Sequence, residues 1–190
     1  MEDFALDVEN LAVKHRARAA LRSLMAGGAL AAPFVRRGLH HANADVVTAC
    51  CDLLDHFLFE EAVPDLLALL EHENSRVRAR AMHALACDRC KEGACRPGEE
   101  DSVPMALSML EHDPSERVRV EAVAVVFPAV HRREDVAKAL ERARDCDPSP
   151  NVRKQANLRA PGGILFRRTS PLKTERWAAR KHLRTRPVRR

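Results

Sequence analysis

The sequence predicts an all-α protein, an α-solenoid of about five stacked helical hairpins that ends in a basic C-terminal tail. Three features support this prediction: a composition that favours helices, an apolar pattern that repeats along the chain, and positive charge concentrated near the C-terminus. Of the 190 residues, 46% are apolar and only 4% are aromatic, with one tryptophan and no tyrosine. Strands favour aromatic and β-branched side chains, so this composition disfavours a β-rich fold. The frequent Ala, Leu, Arg and Glu are all good helix formers.

A short pattern recurs along the chain: a polar or helix-breaking stretch, then a valine, usually an arginine, and then an apolar helix. The strongest copies occupy residues 74–85, 114–126 and 148–158, and weaker copies occupy 43–54 and 10–24. Successive valines lie 33, 31, 41 and 34 residues apart; they are Val13, Val46, Val77, Val118 and Val152. One hairpin cannot bury its own apolar stripes, so a repeat of this length predicts hairpins stacked on one another.

The four later copies are each preceded by a second apolar stretch with helical spacing, which predicts the first helix of each hairpin. Pro64 and Pro104 lie near the predicted starts of their helices, where a missing N–H costs nothing. Ser or Asn in the turns between the paired helices can cap the second helix. The predicted stripes are Leu30, Phe34, Val35 and Leu39; Val63, Leu66, Leu67 and Leu70; Val103, Leu107 and Leu110; and Val136, Ala139, Leu140 and Ala143.

The segments PDLLALLEHENSRVRARAMHALA and PMALSMLEHDPSERVRVEAVAVV resemble HEAT repeats of the PBS lyase HEAT-like family. The resemblance covers residues 10–160 and implies a curved superhelix whose concave face is made of second helices. It implies scaffolding or binding more often than catalysis. It also implies a structural role for the arginine after each valine, which is expected to bond an acid or a carbonyl of the adjacent turn; these residues are Arg78, Arg119 and Arg153.

The longest spacing between valines contains a Cys-rich insertion, which we place at residues 87–102. Its C-x2-C-x4-C pattern consists of Cys87, Cys90 and Cys95. The C-x2-C spacing lets two sulfurs converge on one ion, as in structural zinc sites. Two histidines can complete the ligand set: His83 lies four residues before the first cysteine on the same helix face, and His56 lies one repeat back. The insertion therefore predicts a zinc site.

Other interpretations of the insertion stay open. Reduced cysteines often pack as small apolar side chains, and these three can also have a redox or disulfide role or hold an iron–sulfur cluster. The stretch ALACDRCKEGACRP resembles a Cys-rich insertion of uncharacterised bacterial HEAT-repeat domain-containing proteins, whose C-terminal part is similar to APGGILFRRTSP. That resemblance supports the fold and implies no activity.

Charge divides the chain into a predicted solenoid domain over residues 1–160 and a basic, largely irregular tail over residues 161–190. The tail holds ten Lys or Arg and one acid, whereas the rest holds 22 bases and 26 acids. Basic tails bind phosphate backbones, and a tryptophan can stack on a base. The triplet Ile164-Leu165-Phe166 can fold back over the end of the stack. The candidate residues for a nucleic acid or an acidic partner are Arg167, Arg168, Lys173, Arg176, Trp177, Arg180 and Lys181.

We find no phosphate-binding loop and no nucleophile elbow, so the sequence predicts a protein that is not an enzyme. The absence of a long apolar run and of a signal-peptide pattern predicts a cytoplasmic protein with reduced thiols. We expect an interaction scaffold or adaptor that binds a protein partner through its concave face and its Cys-rich loop. The alternatives are a nucleic-acid-associated adaptor that uses the basic tail, and a HEAT-like enzyme or lyase accessory. Zinc is the one cofactor that the sequence suggests.

Overall fold

The computed structural model describes residues 3–57, 59–86 and 99–171. These residues form helices joined by turns, with no strand among them, so the predicted all-α fold class is confirmed. The chain divides into two compact units, residues 1–125 and 126–190. This division falls inside the predicted solenoid domain, and the domain boundary after residue 160 stays a prediction.

The first unit is built from helices that follow one another in antiparallel pairs. Their bounds are α1 (Phe4–Asn10), α2 (Ala17–Gly27), α3 (Ala32–Gly38), α4 (Ala44–Phe57), α5 (Val63–Ala68), α6 (Ser75–Ala86), α7 (Glu99–His112) and α8 (Glu116–Val126), the last of which ends at the division between the units. Helix α3 packs against α4 and α5 packs against α6, which makes two complete hairpins. The second helices α4 and α6 also pack extensively against each other, so consecutive hairpins share one apolar core.

The second unit contains a further hairpin and one short helix among its described residues. Their bounds are α9 (Glu134–Cys146), α10 (Pro150–Arg159) and α11 (Ile164–Thr169). Helix α10 packs against both α9 and α11. The start of the predicted irregular tail is therefore helical up to Thr169, and the tail beyond Pro171 lies outside the described residues.

Four of the five repeated valines occupy equivalent buried positions in the first turn of a second helix. Val46, Val77, Val118 and Val152 are each 0% exposed, as the repeat predicts. The fifth prediction was wrong. Val13 is partly exposed in the turn before α2, which begins only at Ala17.

The physical reason for this difference is a helix at the N-terminus that the repeat pattern does not reveal. Asp3 caps α1 by accepting a hydrogen bond from the Leu6 backbone N–H at 3.1 Å. Phe4, Val8 and Leu11 then form a buried apolar stripe with helical spacing. Because α1 already provides the first helix of this pair, residues 11–16 are used for the connecting turns.

The predicted first-helix stripes are correct in their centres and wrong at single positions. Val35, Leu66 and Leu140 are 0% exposed, whereas Leu30 is 77% exposed and Leu67 is 49% exposed. Leu30 lies in the short 3-10 helix Gly28–Leu30, before α3 begins. Leu67 lies within the short helix α5, about 100° round the helix axis from buried Leu66, and is therefore on the solvent side of the stripe.

Helix α7 begins earlier than the proline rule predicts. Pro64 is at the start of α5 as predicted, but Pro104 lies inside α7, which begins at Glu99. Residues 99–102 of the predicted insertion therefore form the first turn of α7. This first turn contains three acids, Glu99, Glu100 and Asp101. Their negative charges stabilise the helix because they lie at the positive end of its dipole.

The turns between paired helices use two versions of one hydrogen-bond pattern. In the hairpin α3–α4, His41 Nδ1 accepts a hydrogen bond from the Asn43 backbone N–H at 2.9 Å, and the same His-x-Asn arrangement recurs before α6. Before α8, Asp113 Oδ1 accepts from the Ser115 backbone N–H at 2.8 Å, and Asp147 does the same for Ser149 before α10. A polar side chain thus fixes each turn and sets the start of the second helix.

Close packing of α3 on α4 requires a glycine at position 38. A Cβ atom on Gly38 would clash with Cys50 Sγ and meet Val8 Cγ1 at 3.0 Å. We expect Gly38→Ala to lower the free energy of unfolding by about 1–3 kcal/mol, because overpacking outweighs the better helix propensity of alanine. Urea denaturation measures the change. The double variant Gly38→Ala/Cys50→Ala should recover part of the loss, and unaltered stability of the single variant would contradict this packing.

Candidate functional site

An arginine closes the turn of each of the later hairpins. The Nη1 group of Arg78 donates to the carbonyl oxygens of His72 and Glu73 at 2.8 and 3.0 Å. Arg119 donates in the same way to the carbonyls five and six residues before it, and so does Arg153. The three arginines therefore satisfy carbonyls of the turn that precedes their own helix, which confirms the structural role implied by the resemblance.

Arg78 also connects its own hairpin to the next one. Its Nε and Nη2 groups donate to Asp113 Oδ2 and Oδ1, both at 2.8 Å. The side chains are 11% and 6% exposed, so this bidentate pair is largely shielded from water. Burial alone raises the pKa of Asp113, but hydrogen bonds from Arg78 and from the Ser115 backbone, with the charges of Arg78 and Arg119, outweigh burial and leave it below its ordinary value.

The second helices of the first unit carry a row of charged side chains, which we name the second-helix face. Its members are Asp45, Asp52 and Asp55 of α4, Arg76, Arg80 and His83 of α6, and Glu121 of α8. The two helices α4 and α6 are held by Arg76 Nη1 to Asp45 Oδ1 at 2.8 Å and by Arg80 Nε to Asp52 Oδ1 at 3.2 Å. Bases on the middle helix thus alternate with acids on its neighbours.

His83 lies at the centre of this face, between two carboxylates. Its Nδ1 is 2.6 Å from Glu121 Oε1 and its Nε2 is 3.5 Å from Asp55 Oδ2. The hydrogen bond from His83 holds the pKa of Glu121 below its ordinary value, although burial acts in the opposite direction. His83 therefore links α4, α6 and α8 through two polar contacts.

A variant of His83 tests this link. We expect His83→Ala to lower the free energy of unfolding at pH 7 by about 1–2 kcal/mol, because Glu121 loses a charge-assisted hydrogen bond. Since the folded pKa of Glu121 is depressed, its contribution is present above the ordinary glutamate pKa and is lost as pH falls through the folded value. The stability difference should therefore shrink below about pH 4 in urea titrations. A difference that stays constant down to pH 3 would contradict the link.

The structure places the two histidines of the predicted zinc site in different surroundings. His83 contacts carboxylates through both ring nitrogens, so binding a metal would require it to leave one of them. His56 is exposed and lines a separate cleft beside α3. The three predicted sulfur ligands, Cys87, Cys90 and Cys95, lie outside the described residues, so the zinc site stays a prediction. Within the described part of the chain, no three His, Cys, Asp or Glu side chains are arranged to hold a metal ion.

Two other cysteines are part of the core. Cys50 and Cys51 are each 0% exposed on α4 and are free thiols. Burial raises the pKa of the Cys50 thiol to about 12 and raises that of Cys51 as well. Both side chains are therefore packing residues with little thiolate character.

The residues predicted to bind a nucleic acid are described only in part. Arg167 and Arg168 are exposed in the last turn of α11. Lys173, Arg176, Trp177, Arg180 and Lys181 lie outside the described residues.

Helix α11 folds back onto the second unit. The Phe166 ring stacks on His131 with centroids 4.3 Å apart, and His131 Nε2 is 3.0 Å from Thr169 Oγ1. The predicted fold-back of the triplet Ile164-Leu165-Phe166 agrees with the packing of α11 on α10 and with this contact of Phe166, whereas Ile164 is 51% exposed. That the triplet covers the end of the stack stays a prediction.

No helix in the described ranges is both long enough and apolar enough to span a membrane. Helical hairpins that repeat along the chain, four with an equivalent buried valine and the last three with a turn-binding arginine, define an α-helical repeat protein. The family model for HEAT repeats matches residues 32–126, half of the chain, and the chain belongs to this family. The matched region runs from α3 to the end of α8. A comparison with curated proteins gives no match.

HEAT repeats generally serve as protein-interaction scaffolds, and the family is typically non-catalytic.

The second-helix face is the part of the site that the sequence did not reveal. The sequence drew attention to His83 as a metal ligand, whereas the structure shows its bonds to acids on both neighbouring helices. Repeat spacing carried a usable signal for one pair on this face, because Asp45 stands 31 residues before its partner Arg76, as Val46 stands before Val77.

Proposed function

We propose that this protein is an interaction scaffold or adaptor that binds a partner protein through its second-helix face and its Cys-rich loop. The HEAT resemblance implies a concave side made of second helices, and we assign that role to the second-helix face. The observation that carries the proposal is the alternation of acids and bases across α4, α6 and α8, which fixes a patterned charged surface on a rigid set of helices.

Rigidity supports this proposal, because a surface that is already ordered loses little entropy when it binds. Consecutive hairpins are held by the shielded Arg78–Asp113 pair as well as by the shared apolar core. The charges on the face remain accessible: Arg76 and Arg80 side chains are 53% and 43% exposed, and Asp45 is 69% exposed. Complementary charges on a partner would select orientation and speed association.

Affinity capture with the full chain at physiological salt, followed by binding assays with the purified captured protein, tests this proposal. We expect wild type and a chain truncated after residue 160 to bind one defined protein. The double variant Arg76→Glu/Arg80→Glu should lose that binding. The matched control is Arg18→Glu/Arg22→Glu, which places the same charges at the same helical spacing on exposed positions of α2. Equal binding by the face variant and the control would contradict the proposed surface.

The Cys-rich loop has its own test, because we propose that Cys87, Cys90 and Cys95 bind zinc. We expect about one equivalent of zinc in freshly purified protein by elemental analysis, and its loss in Cys90→Ser. The control variant Cys146→Ser removes an exposed thiol of α9 and should retain the metal. Metal-free wild-type protein of full stability would eliminate the site.

A nucleic-acid-associated adaptor is the second candidate, and the ten basic residues of the tail favour it. This function predicts binding to arbitrary RNA or DNA that weakens steeply with salt and disappears on truncation after residue 160. The scaffold function predicts partner binding that survives the truncation. Gel-shift assays with wild type and the truncated chain therefore separate the two functions.

A further inference from the structure

A second surface of the first unit has the chemistry of a ligand site. A cleft of about 1030 Å³ opens between α3, the C-terminal end of α4 and the 3-10 turn Glu60–Ala62. We name it the basic cleft. Its walls include the rings of Phe34, Phe57 and Phe59, and its volume is that of a typical small-molecule or peptide pocket.

Basic side chains are concentrated along this cleft. Arg36 and Arg37 line it together with His40 and His56, and Glu61 is the one acid among its described lining residues. The surrounding unit has the opposite charge, since residues 1–125 contain 14 Lys or Arg and 21 Asp or Glu. The cleft thus presents two arginines, one of them paired with Asp65, on an otherwise acidic unit.

Arg37 is held in place without a carboxylate partner. Its guanidinium carbon lies over the Phe34 ring, 4.6 Å from the ring centre, which is a cation–π contact. In the described part of the chain, Arg37 has no ion pair and no side-chain hydrogen bond. The N–H groups at its edge are therefore available to a ligand.

Across the described ranges, the guanidinium group of Arg36 has a hydrogen-bond partner at only one of its three nitrogens. Its Nε donates to Asp65 Oδ2 at 2.5 Å, and the other oxygen of Asp65 is 3.2 Å from His40 Nε2. Asp65 thereby orients two basic side chains of the cleft. The Nη groups of Arg36 have no hydrogen-bond partner among the described residues, so they can donate hydrogen bonds to a ligand.

Arginine binds carboxylates through two parallel N–H bonds, so the two guanidinium groups suit a ligand with carboxylates. The aromatic walls beside them suit an apolar side chain on the same ligand. The excess of acids elsewhere in the unit repels an extended polyanion such as a nucleic acid, whereas a short segment with a few carboxylates meets mainly the local cations. The ligand chemistry that fits is an acidic peptide with an aromatic or large aliphatic anchor.

We propose that the basic cleft binds a short acidic segment of a partner protein, with its apolar anchor against Phe34, Phe57 and Phe59 and its carboxylates on Arg36 and Arg37. This inference goes beyond the proposed function, because none of these residues belongs to the second-helix face. A partner can therefore engage either surface alone or both together.

Selection from a random dodecapeptide display library tests the proposal with the full chain. We expect wild type to enrich peptides that combine Asp or Glu with Phe, Trp or Leu. A synthetic, fluorescein-labelled copy of the most enriched peptide should then bind wild type in anisotropy titrations. Affinity should fall about tenfold or more in Arg37→Ala, because one charge-assisted bidentate contact is lost, and further in Arg37→Glu. Arg37 makes no ion pair within the described residues, so these variants should fold.

Controls separate this inference from the proposed function. Arg76→Ala alters only the second-helix face and should bind the peptide as wild type does. Enriched peptides without acidic residues, or equal affinity for wild type and Arg37→Ala, would overturn the proposal while leaving the second-helix face untested by the same data. A single-stranded oligonucleotide that binds more tightly than the peptide, in a manner that depends on Arg37, would also overturn it, since the cleft would then recognise a different polyanion.

Discussion

Arg78→Ala is expected to lower the free energy of unfolding by about 3–5 kcal/mol, one of the two largest effects that the structure predicts for a single substitution. Arg78 and Asp113 side chains are only 11% and 6% exposed, so removing the guanidinium leaves a shielded carboxylate without its bidentate partner. The carbonyls of His72 and Glu73 lose their donor at the same time. Urea denaturation at pH 7 measures the loss.

An exposed arginine on the same helix provides the matched control. Arg76 pairs with Asp45 on the surface, where the two side chains are 53% and 69% exposed, so Arg76→Ala should change stability by less than about 1 kcal/mol. A double-mutant cycle with Asp113→Asn isolates the pair. Additive effects of Arg78→Ala and Asp113→Asn would contradict a direct link between the two hairpins.

Leu54→Ala is expected to lower the free energy of unfolding by about 2–5 kcal/mol. Leu54 is 0% exposed on α4, within the core that α4 and α6 share, so truncation leaves a cavity that close-packed neighbours can fill only partly. Calorimetry and urea titration both measure the change. Leu67→Ala is the control, because Leu67 is 49% exposed and its truncation should cost no more than about 0.5 kcal/mol. Similar losses for the two variants would contradict the placement of the core.

The repeated part of the fold could be predicted because every copy of the repeat must bury the same apolar positions against neighbouring helices. The valines at 46, 77, 118 and 152 are buried for one reason, so their spacing alone identifies the hairpins. Elements outside the repeat needed other signals. Helix α1 was missed, although Asp3 as a cap and Phe4, Val8 and Leu11 at helical spacing are visible in the sequence.

Contacts between hairpins were harder to predict than the hairpins themselves. The turn-binding role of Arg78 follows from its place after the valine, because its carbonyl partners lie five and six residues away. Its second partner, Asp113, is 35 residues away and lies beyond the Cys-rich insertion. Sequence spacing does not fix the register of neighbouring helices across such an insertion, so only the structure pairs these two side chains.

The candidate sites were predicted least well, since they depend on residues that do not repeat. His83 stood out as a possible metal ligand, but its bonds to Glu121 and Asp55 depend on how three helices are aligned. The basic cleft gave no sequence signal, because Arg36 and Arg37 come from α3 while Phe57 and Phe59 follow the end of α4. A cleft between separate elements becomes visible only when those elements are packed.

Hydrogen exchange, followed by mass spectrometry on wild type and Leu54→Ala, is the most direct test of the claim that successive hairpins of the first unit bury each other's apolar faces. If α4 and α6 form one cooperative core, the substitution in α4 should accelerate amide exchange in α6 by a similar factor. Faster exchange confined to α4, with α6 as protected as in wild type, would show that the hairpins are stable independently and would contradict this account.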